Sequence, residues 1–158
     1  MFLVARVVTY SALFIGLLLV YVPARILSRF GVARPAELGP RQVFGAAVGA
    51  AGAALALWCI FTFASAGRGT PAPFDPPRRL VTRGPYRFVR NPMYLGAALA
   101  LTGAALFYGS WPLLAYPVLF LLACHLFVMW YEEPALRGAF GREYAEYCGR
   151  VRRWRPRL

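Results

Sequence analysis

The sequence predicts an all-α integral membrane protein with about four transmembrane helices plus a C-terminal amphipathic helix. Of its 158 residues 59% are hydrophobic, which is more than an ordinary soluble protein of this size contains. Uncharged runs are long enough to cross a hydrocarbon core about 30 Å thick. The 18 basic residues, all of them arginine, lie mainly between or after these runs. The length allows a single membrane-embedded domain, residues 1–158.

The first predicted span covers about residues 7–24, an uncharged segment between Arg6 and Arg25. At about 1.5 Å per residue this segment is almost long enough to cross the bilayer. Its apolar region is longer than that of a secretory signal, and the Val22-Pro23-Ala24-Arg25 end has no small-x-small cleavage pattern. We therefore expect a helix that remains in the mature protein.

The second predicted span covers about residues 43–66 and is rich in glycine and alanine. Gly45 and Gly49 are four residues apart, a small-xxx-small spacing that lets another helix approach closely. This spacing predicts tight packing of the second span against a neighbour.

The third and fourth predicted spans, about residues 92–109 and 112–131, come from one long run. From Asn91 to Tyr131 there is no Asp, Glu, Lys or Arg, and His125 is the only histidine. This run is twice the length that one crossing requires, and Gly109-Ser110-Trp111-Pro112 interrupts it in the middle. The pattern predicts a helical hairpin inside the membrane.

Two polar segments remain, a loop at 67–91 and a tail at 132–158. Five prolines in the loop, and Pro92 directly after it, exclude a long helix. The loop's Gly67-Arg68-Gly69 is better explained as a helix-end turn than as a phosphate-binding loop. In the tail, Glu132-Glu133-Pro134 is typical of a helix start. Apolar residues then recur at helical spacing and predict an amphipathic helix on the membrane surface or over the bundle: Leu136, Phe140, Tyr144, Tyr147 and Val151.

Charge and cysteine content limit the function classes. Most arginines fall in the 67–91 loop and in the tail, so the positive-inside rule places both termini and these segments in the cytoplasm, with the chain in a bacterial inner membrane. Arginines of the tail meet lipid phosphates, which explains the formal charge of +12 without nucleic acid. The three cysteines form no CxxC or His/Cys cluster, so we expect neither a zinc site nor another metal site.

His125, Glu132 and Glu133 are the candidate polar residues near the membrane. From spacing alone, the two glutamates are explained by termination of the fourth span and capping of the tail helix. Similarly, a lone histidine in a span is most simply explained by a hydrogen bond to a neighbouring helix. His125 lies seven residues before Glu132, so both side chains project from one helix face.

Two motifs in order resemble a known family. GPYRFVRNPMYLG (residues 84–96) and EEPALRGAFGREYAEYCGRVRRWRP (132–156) are separated by the hairpin. They resemble the membrane methyltransferase family that includes isoprenylcysteine carboxyl methyltransferases and phospholipid N-methyltransferases. The shared pattern is G-x-Y, R-H/N-P-x-Y, a glutamate pair, and L-x(3)-F-G-x-x-Y-x-x-Y before an Arg/Pro segment. The resemblance covers roughly residues 80–156, about half of the chain.

The resemblance implies a cytosol-facing S-adenosylmethionine pocket, capped by the C-terminal segment, with a lipid-like substrate that enters from the membrane. The implied cofactor contacts are Leu80, Val81, Tyr86, Asn91, Pro92, Met93, Tyr94 and Glu132. From their own chemistry, the candidate catalytic residues are His125, Arg90 and Glu133. The expected chemistry is direct displacement, in which the acceptor attacks the sulfonium methyl group in a site that excludes water.

Two departures from the family pattern concern the acceptor. Asn91 replaces the histidine of many relatives, and Val128 replaces an arginine implied to hold a substrate carboxylate. The first expectation is isoprenylcysteine-like carboxylate O-methylation, which needs a positioning cation from Arg87, Arg90 or His125. The alternative is phospholipid amine N-methylation, in which His125 or Glu133 accepts the proton. A non-catalytic membrane scaffold or a degenerate family member is the alternative of another class.

Overall fold

The computed structural model describes residues 2–67 and 78–156, and the parts of the chain that it describes are helical without a β-strand. Helix α1 consists of Phe2–Phe14, a wider π-helical segment Ile15–Tyr21, and Val22–Arg29. Helix α2 consists of Pro40–Thr62 and the π-helical Phe63–Gly67. The GxG glycine at position 69 and the prolines at positions 71, 73, 76 and 77 of the predicted loop lie outside the described residues.

Helices α3 and α4 form the predicted hairpin. Helix α3 is Pro92–Tyr108, and α4 comprises Trp111–Phe127 with the π-helical segment Val128–Glu132. Between them, Gly109 adopts a left-handed φ of 63°, and the Ser110 hydroxyl accepts a hydrogen bond from the Leu113 amide as an N-cap. The tail helix α5, Glu133–Arg150, continues directly from α4.

The number and type of the predicted helices are confirmed. Three described segments are long and apolar enough to cross a membrane, within Val8–Arg29, Pro40–Gly67 and Trp111–Arg150. Pro92–Tyr108 is a fourth, shorter apolar helix. The chain is therefore an integral membrane protein, as its composition predicts.

Helices α2 and α3 make the closest contact of the bundle, and glycine is the reason. A Cβ atom added at Gly45 would lie 2.5 Å from the Phe107 nitrogen, and one at Gly96 would lie 2.8 Å from the Ala56 nitrogen. Real side chains do not tolerate such distances, so the two backbones touch at these glycines. The close approach predicted from Gly45 is confirmed, and α3 is the partner.

Helix α1 closes the bundle from the side through its contacts with α4. The Tyr116 hydroxyl donates to the Leu18 carbonyl at 3.0 Å, and the rings of Phe14 and Phe120 meet edge to face with centroids 6.4 Å apart. These contacting residues also line a cavity beside α4. Helix α1 is therefore part of the bundle, and also one wall of that cavity.

The tail helix α5 packs over the end of the bundle. Tyr144, Tyr147 and Val151 are buried, while Leu136 and Phe140 pack at their edge together with Leu80 from the loop. The apolar stripe predicted for α5 is thus covered by protein. One feature was not predicted: Gly141 has φ 47° and ψ −116°, so the helix is kinked there.

Candidate active site

The two glutamates at the end of α4 have different partners, although they are adjacent in sequence. Glu133 is 6% exposed, and its carboxylate receives two hydrogen bonds from Arg153, at 2.7 and 2.9 Å. Arg90 Nη1 lies 3.2 Å from the same carboxylate. Burial alone would raise the pKa of Glu133, but the Arg153 hydrogen bonds and the charges of Arg90 and Arg153 outweigh burial and lower it. Glu133 is thus an ionised carboxylate held by two arginines.

Glu132, in contrast, has no positively charged partner among the described residues. Its Oε2 accepts a hydrogen bond from the Tyr94 hydroxyl at 3.0 Å. Within residues 2–67 and 78–156, no arginine lies within ion-pair distance of it. An acid of this kind can take up a cationic or hydrogen-bond-donating group of a ligand.

The segment after α5 turns back over these glutamates and closes the site. The Arg90 amide donates to the Arg152 carbonyl at 2.9 Å, which joins the tail to the loop before α3. The Asn91 side-chain amide donates to the Arg153 carbonyl at 3.4 Å. Trp154 then places its indole N–H 2.9 Å from His125 Nδ1.

Aromatic rings line the space that the tail covers. The ring of Trp154 lies 6.4 Å from that of Tyr94 and 6.0 Å from that of His125, measured between centroids. Tyr94 and Trp154 both pack against the buried cluster of α3 and α4 that contains Ala97 and Phe120. His125, Trp154, Tyr94 and Glu132 are therefore linked through successive contacts.

The loop residues before α3 form the floor on the other side. Val81 and Tyr86 are buried with Cys59, and Met93 packs against them. The Tyr147 hydroxyl donates to the Tyr86 carbonyl at 2.6 Å, and burial raises the pKa of Tyr147, so this hydroxyl stays neutral. The loop is held in place by the tail helix.

The sequence-predicted site residues thus fall into two groups. Arg90, Asn91, Tyr94, His125, Glu132 and Glu133 come together through polar contacts among themselves or with the tail. The side chains of Leu80, Val81, Tyr86, Pro92 and Met93 mainly pack, so their contribution to a ligand site lies in shape and backbone groups. Their roles toward a ligand stay predictions.

A large apolar cavity ends at this site. It has a volume of about 790 Å³ and is lined by all four membrane helices, including Ser11, Ile60, Met93, Tyr94 and Phe120. Two other lining residues, Leu13 and Leu119, are 65% and 61% exposed. Because the lining includes such exposed side chains, the cavity opens to the side, where the bilayer would lie.

Two residues of the site were not predicted, Arg153 and Trp154. In the sequence they belong to a basic run that is equally well explained by lipid phosphates. A tryptophan within such a run was the available signal, because indole combines an apolar body with one donor. Among the described residues, no group of three or more His, Cys, Asp or Glu side chains is placed to hold a metal ion.

This arrangement defines a helical integral membrane protein with a side-opening apolar cavity and a buried, tail-covered polar site at one end of the bundle. The family model of the phospholipid methyltransferases matches residues 40–143, about two thirds of the chain. The chain therefore belongs to the phospholipid methyltransferase family, as the two motifs predicted. No curated protein and no solved structure matches it significantly.

The matched range, residues 40–143, includes most of the candidate site but not all of it. It contains helices α2 to α4, the Asn91 to Tyr94 motif and both glutamates. It leaves out helix α1, and it ends before Arg153 and Trp154. One wall of the cavity, formed by α1, and the Arg153–Trp154 cover of the site are thus supplied by parts of this chain that the family match does not include.

Proposed function

We propose that this protein is an S-adenosylmethionine-dependent methyltransferase that methylates a lipid-like substrate within the membrane. One observation carries the proposal: the apolar, side-opening cavity ends at Tyr94, whose hydroxyl binds the unneutralised carboxylate of Glu132. The lining of the cavity is apolar, so it suits an apolar acyl or prenyl chain. The polar end then meets the residues predicted to bind the methyl donor.

The residues at this end suit S-adenosylmethionine. When bound, that molecule supplies an electrophilic methyl group on a cationic sulfur, together with an amino-acid end. Glu132 would hold the ammonium or the ribose hydroxyls. Arg90 has a buried Nε without a hydrogen-bond partner in the described structure. This N–H is a free donor for the carboxylate of S-adenosylmethionine. Asn91, Pro92 and Met93 would complete the contacts through backbone groups and shape.

Aromatic side chains support the same assignment. The rings of Tyr86, Tyr94 and Trp154 border the site, and a cation is attracted to the face of such rings by about 0.5–2 kcal/mol. Leu80 and Val81 would form the apolar floor. Arg153 and Trp154 cover the site, so these residues would exclude water from the reaction.

The protein's part in the reaction is to bring the two reactants together. A methyl transfer by direct displacement needs the acceptor and the methyl group in line and close to each other. The cavity would orient the lipid chain, while Glu132 and the Asn91 motif would fix the donor. Arg90, His125 and Glu133 are the residues proposed to contact or serve the acceptor.

Two kinds of acceptor group are considered, a carboxylate and an amine. Carboxylate O-methylation, as in the isoprenylcysteine enzymes, needs no base. Val128 is 1% exposed and apolar where that branch has arginine, so a carboxylate would depend on Arg90 or His125. Amine N-methylation of a phospholipid is favoured by the partners of the two glutamates, since Glu133 engages both Arg90 and Arg153 while Glu132 has no cation beside it among the described residues.

The proposed location is the bacterial inner membrane, with both termini and the active site in the cytoplasm. The site lies at the bundle end that carries the arginine-rich tail, which supports this orientation through the positive-inside rule. S-adenosylmethionine is a polar cytoplasmic metabolite, so its pocket should face that side. The remaining arginines of the tail would contact anionic lipids.

A methyl-transfer assay on protein in lipid nanodiscs tests the proposal. Labelled S-adenosylmethionine is supplied with either phosphatidylethanolamine or a prenylated cysteine, and the label in the lipid fraction is measured. We expect transfer to one acceptor class, and its loss in Glu132→Gln. No transfer to either acceptor, together with no binding of the donor by folded protein, would support a scaffold or a degenerate member instead.

A further inference from the structure

The hydrogen bond between Trp154 and His125 determines which nitrogen of the imidazole carries the proton. The indole N–H of Trp154 can only donate, so the His125 Nδ1 atom, 2.9 Å away, must be the acceptor. An accepting Nδ1 carries no proton. In a neutral imidazole the proton then sits on Nε2.

This tautomer limits what His125 can do. Nε2 already carries a proton, and the lone pair of Nδ1 is occupied by the indole. While the bond persists, His125 can donate a hydrogen bond from Nε2 but cannot accept a proton from a substrate. No other hydrogen bond of this ring is formed within the described residues, so the Nε2 donor is free for a ligand.

The neighbours of His125 indicate which ligand group would use that donor. The two arginines nearest the glutamate pair, Arg90 and Arg153, are both engaged by Glu133, and the remaining Nε–H of Arg90 is proposed to bind the carboxylate of the methyl donor. An oxygen atom on the lipid head group therefore lacks an uncommitted arginine there. His125 lies about 10 Å along α4 from Glu132, calculated from seven residues at 1.5 Å each, and its neighbour Cys124 lines the cavity proposed for the lipid chain.

We propose that Trp154 is a positioning residue that holds His125 as the Nε2–H tautomer, so that His125 donates a hydrogen bond to an oxygen of the lipid head group. That oxygen belongs to a carboxylate or a phosphate, which share this chemistry. The substrate contact rests on the proposed methyltransferase function, whereas the tautomer does not. The inference also replaces the predicted role of His125 as a proton acceptor.

Imidazole ¹⁵N NMR tests the tautomer directly, because His125 is the only histidine of the chain. The protein is purified in nanodiscs through a tag without histidine, so that a single ring is observed. We expect a pyridine-like Nδ1 and a protonated Nε2. In Trp154→Phe, which keeps an aromatic ring but has no N–H, we expect a mixture of tautomers.

Trp111→Phe is the matched control, since Trp111 is 81% exposed at the opposite end of α4 and should leave the spectrum unchanged. An Nδ1–H tautomer or a doubly protonated ring in the wild-type protein would overturn the proposal. So would a Trp154→Phe spectrum identical to that of the wild type.

The substrate contact is tested by kinetics on two variants of His125. Glutamine places an amide N–H near the Nε2 position, whereas alanine has no donor. We expect His125→Ala to raise KM for the lipid about fivefold to tenfold, as loss of one hydrogen bond predicts, and His125→Gln to restore most of it.

The head group is identified by running both variants with a prenylated cysteine and with phosphatidylethanolamine. A KM effect on the first alone assigns the contact to a carboxylate, and on the second alone to a phosphate. Equal KM values for wild type and His125→Ala with both substrates would overturn the contact. If wild-type protein shows the expected tautomer but transfers no methyl group, the proposed function fails and the Trp154 tautomer assignment stands.

Discussion

At the scale of single residues, the proposed chemistry depends on the difference between Glu132 and Glu133. Both are largely withdrawn from solvent, yet one is bound by two arginines and the other by a tyrosine hydroxyl. A carboxylate with two cationic partners stabilises the fold, while one without a cation is ready for a ligand. The next two predictions separate these roles.

Glu132→Gln should weaken binding of S-adenosylhomocysteine by about 10-fold to 100-fold, because a hydrogen bond to a charged group contributes roughly 1.5–3 kcal/mol. Thermal stability should stay the same or rise, since the variant removes a buried acid that has no cation beside it among the described residues. Isothermal titration calorimetry measures the first effect and thermal unfolding the second. A variant that binds the ligand with wild-type affinity would remove Glu132 from the pocket.

Glu133→Gln should destabilise the protein by about 3 kcal/mol, because it leaves Arg90 and Arg153 without their shared partner. The pKa of Glu133 is below its ordinary value near 4.5. Its contribution is therefore complete above that pH and is lost as pH falls through the folded pKa. Trp154 fluorescence should report release of the tail in acid, and Glu133→Gln should show release already at neutral pH. Identical acid profiles for the two proteins would contradict this role.

The sequence identified most of these residues through its two motifs. Glu132, Glu133, Tyr94 and Asn91 occupy motif positions, so the resemblance was sufficient to select them. The division of roles between the glutamates was not predictable, because it depends on Arg153, 20 residues away. Spacing along a helix cannot show which side chain a tail brings back.

At the scale of helices, the packing of α2 on α3 depends on glycine. Gly103→Ala should destabilise the protein by about 1–3 kcal/mol, since the added methyl group would meet the backbone at Gly45 and Gly49. Gly16→Ala is the matched control, because nothing lies within 4 Å of a Cβ atom there. Thermal unfolding in detergent measures both. Equal midpoints for the two variants would show that the helices do not touch at Gly103.

Hydrophobic runs predicted the membrane helices well, because the bilayer requires long apolar segments whatever their neighbours. The π-helical turn Val128–Glu132 and the kink at Gly141 were not predicted. Both change the direction in which the following side chains project. A glycine such as Gly141 is compatible with a helix end, a kink or an uninterrupted helix, so the residue type alone does not predict which of these forms.

At the scale of the whole molecule, the tail beyond α5 joins the loop, the glutamates and His125 into one closed site. A chain that ends at Arg150 should keep its membrane helices but lose at least tenfold in S-adenosylhomocysteine affinity. It loses the tail contacts with Arg90, Asn91, His125 and Glu133. Circular dichroism confirms the helices, and calorimetry gives the affinity. Undiminished affinity in the shortened, folded chain would show that the tail does not cover the pocket.

The most direct test of the central claim is calorimetric titration of the protein in nanodiscs with S-adenosylhomocysteine. Glu132→Gln is compared with Glu146→Gln, which changes a glutamate exposed on the tail helix. We predict saturable binding in the wild type and in Glu146→Gln, and much weaker binding in Glu132→Gln. Absence of binding in folded wild-type protein, or equal affinity in all three proteins, would contradict a methyl-donor pocket at Glu132.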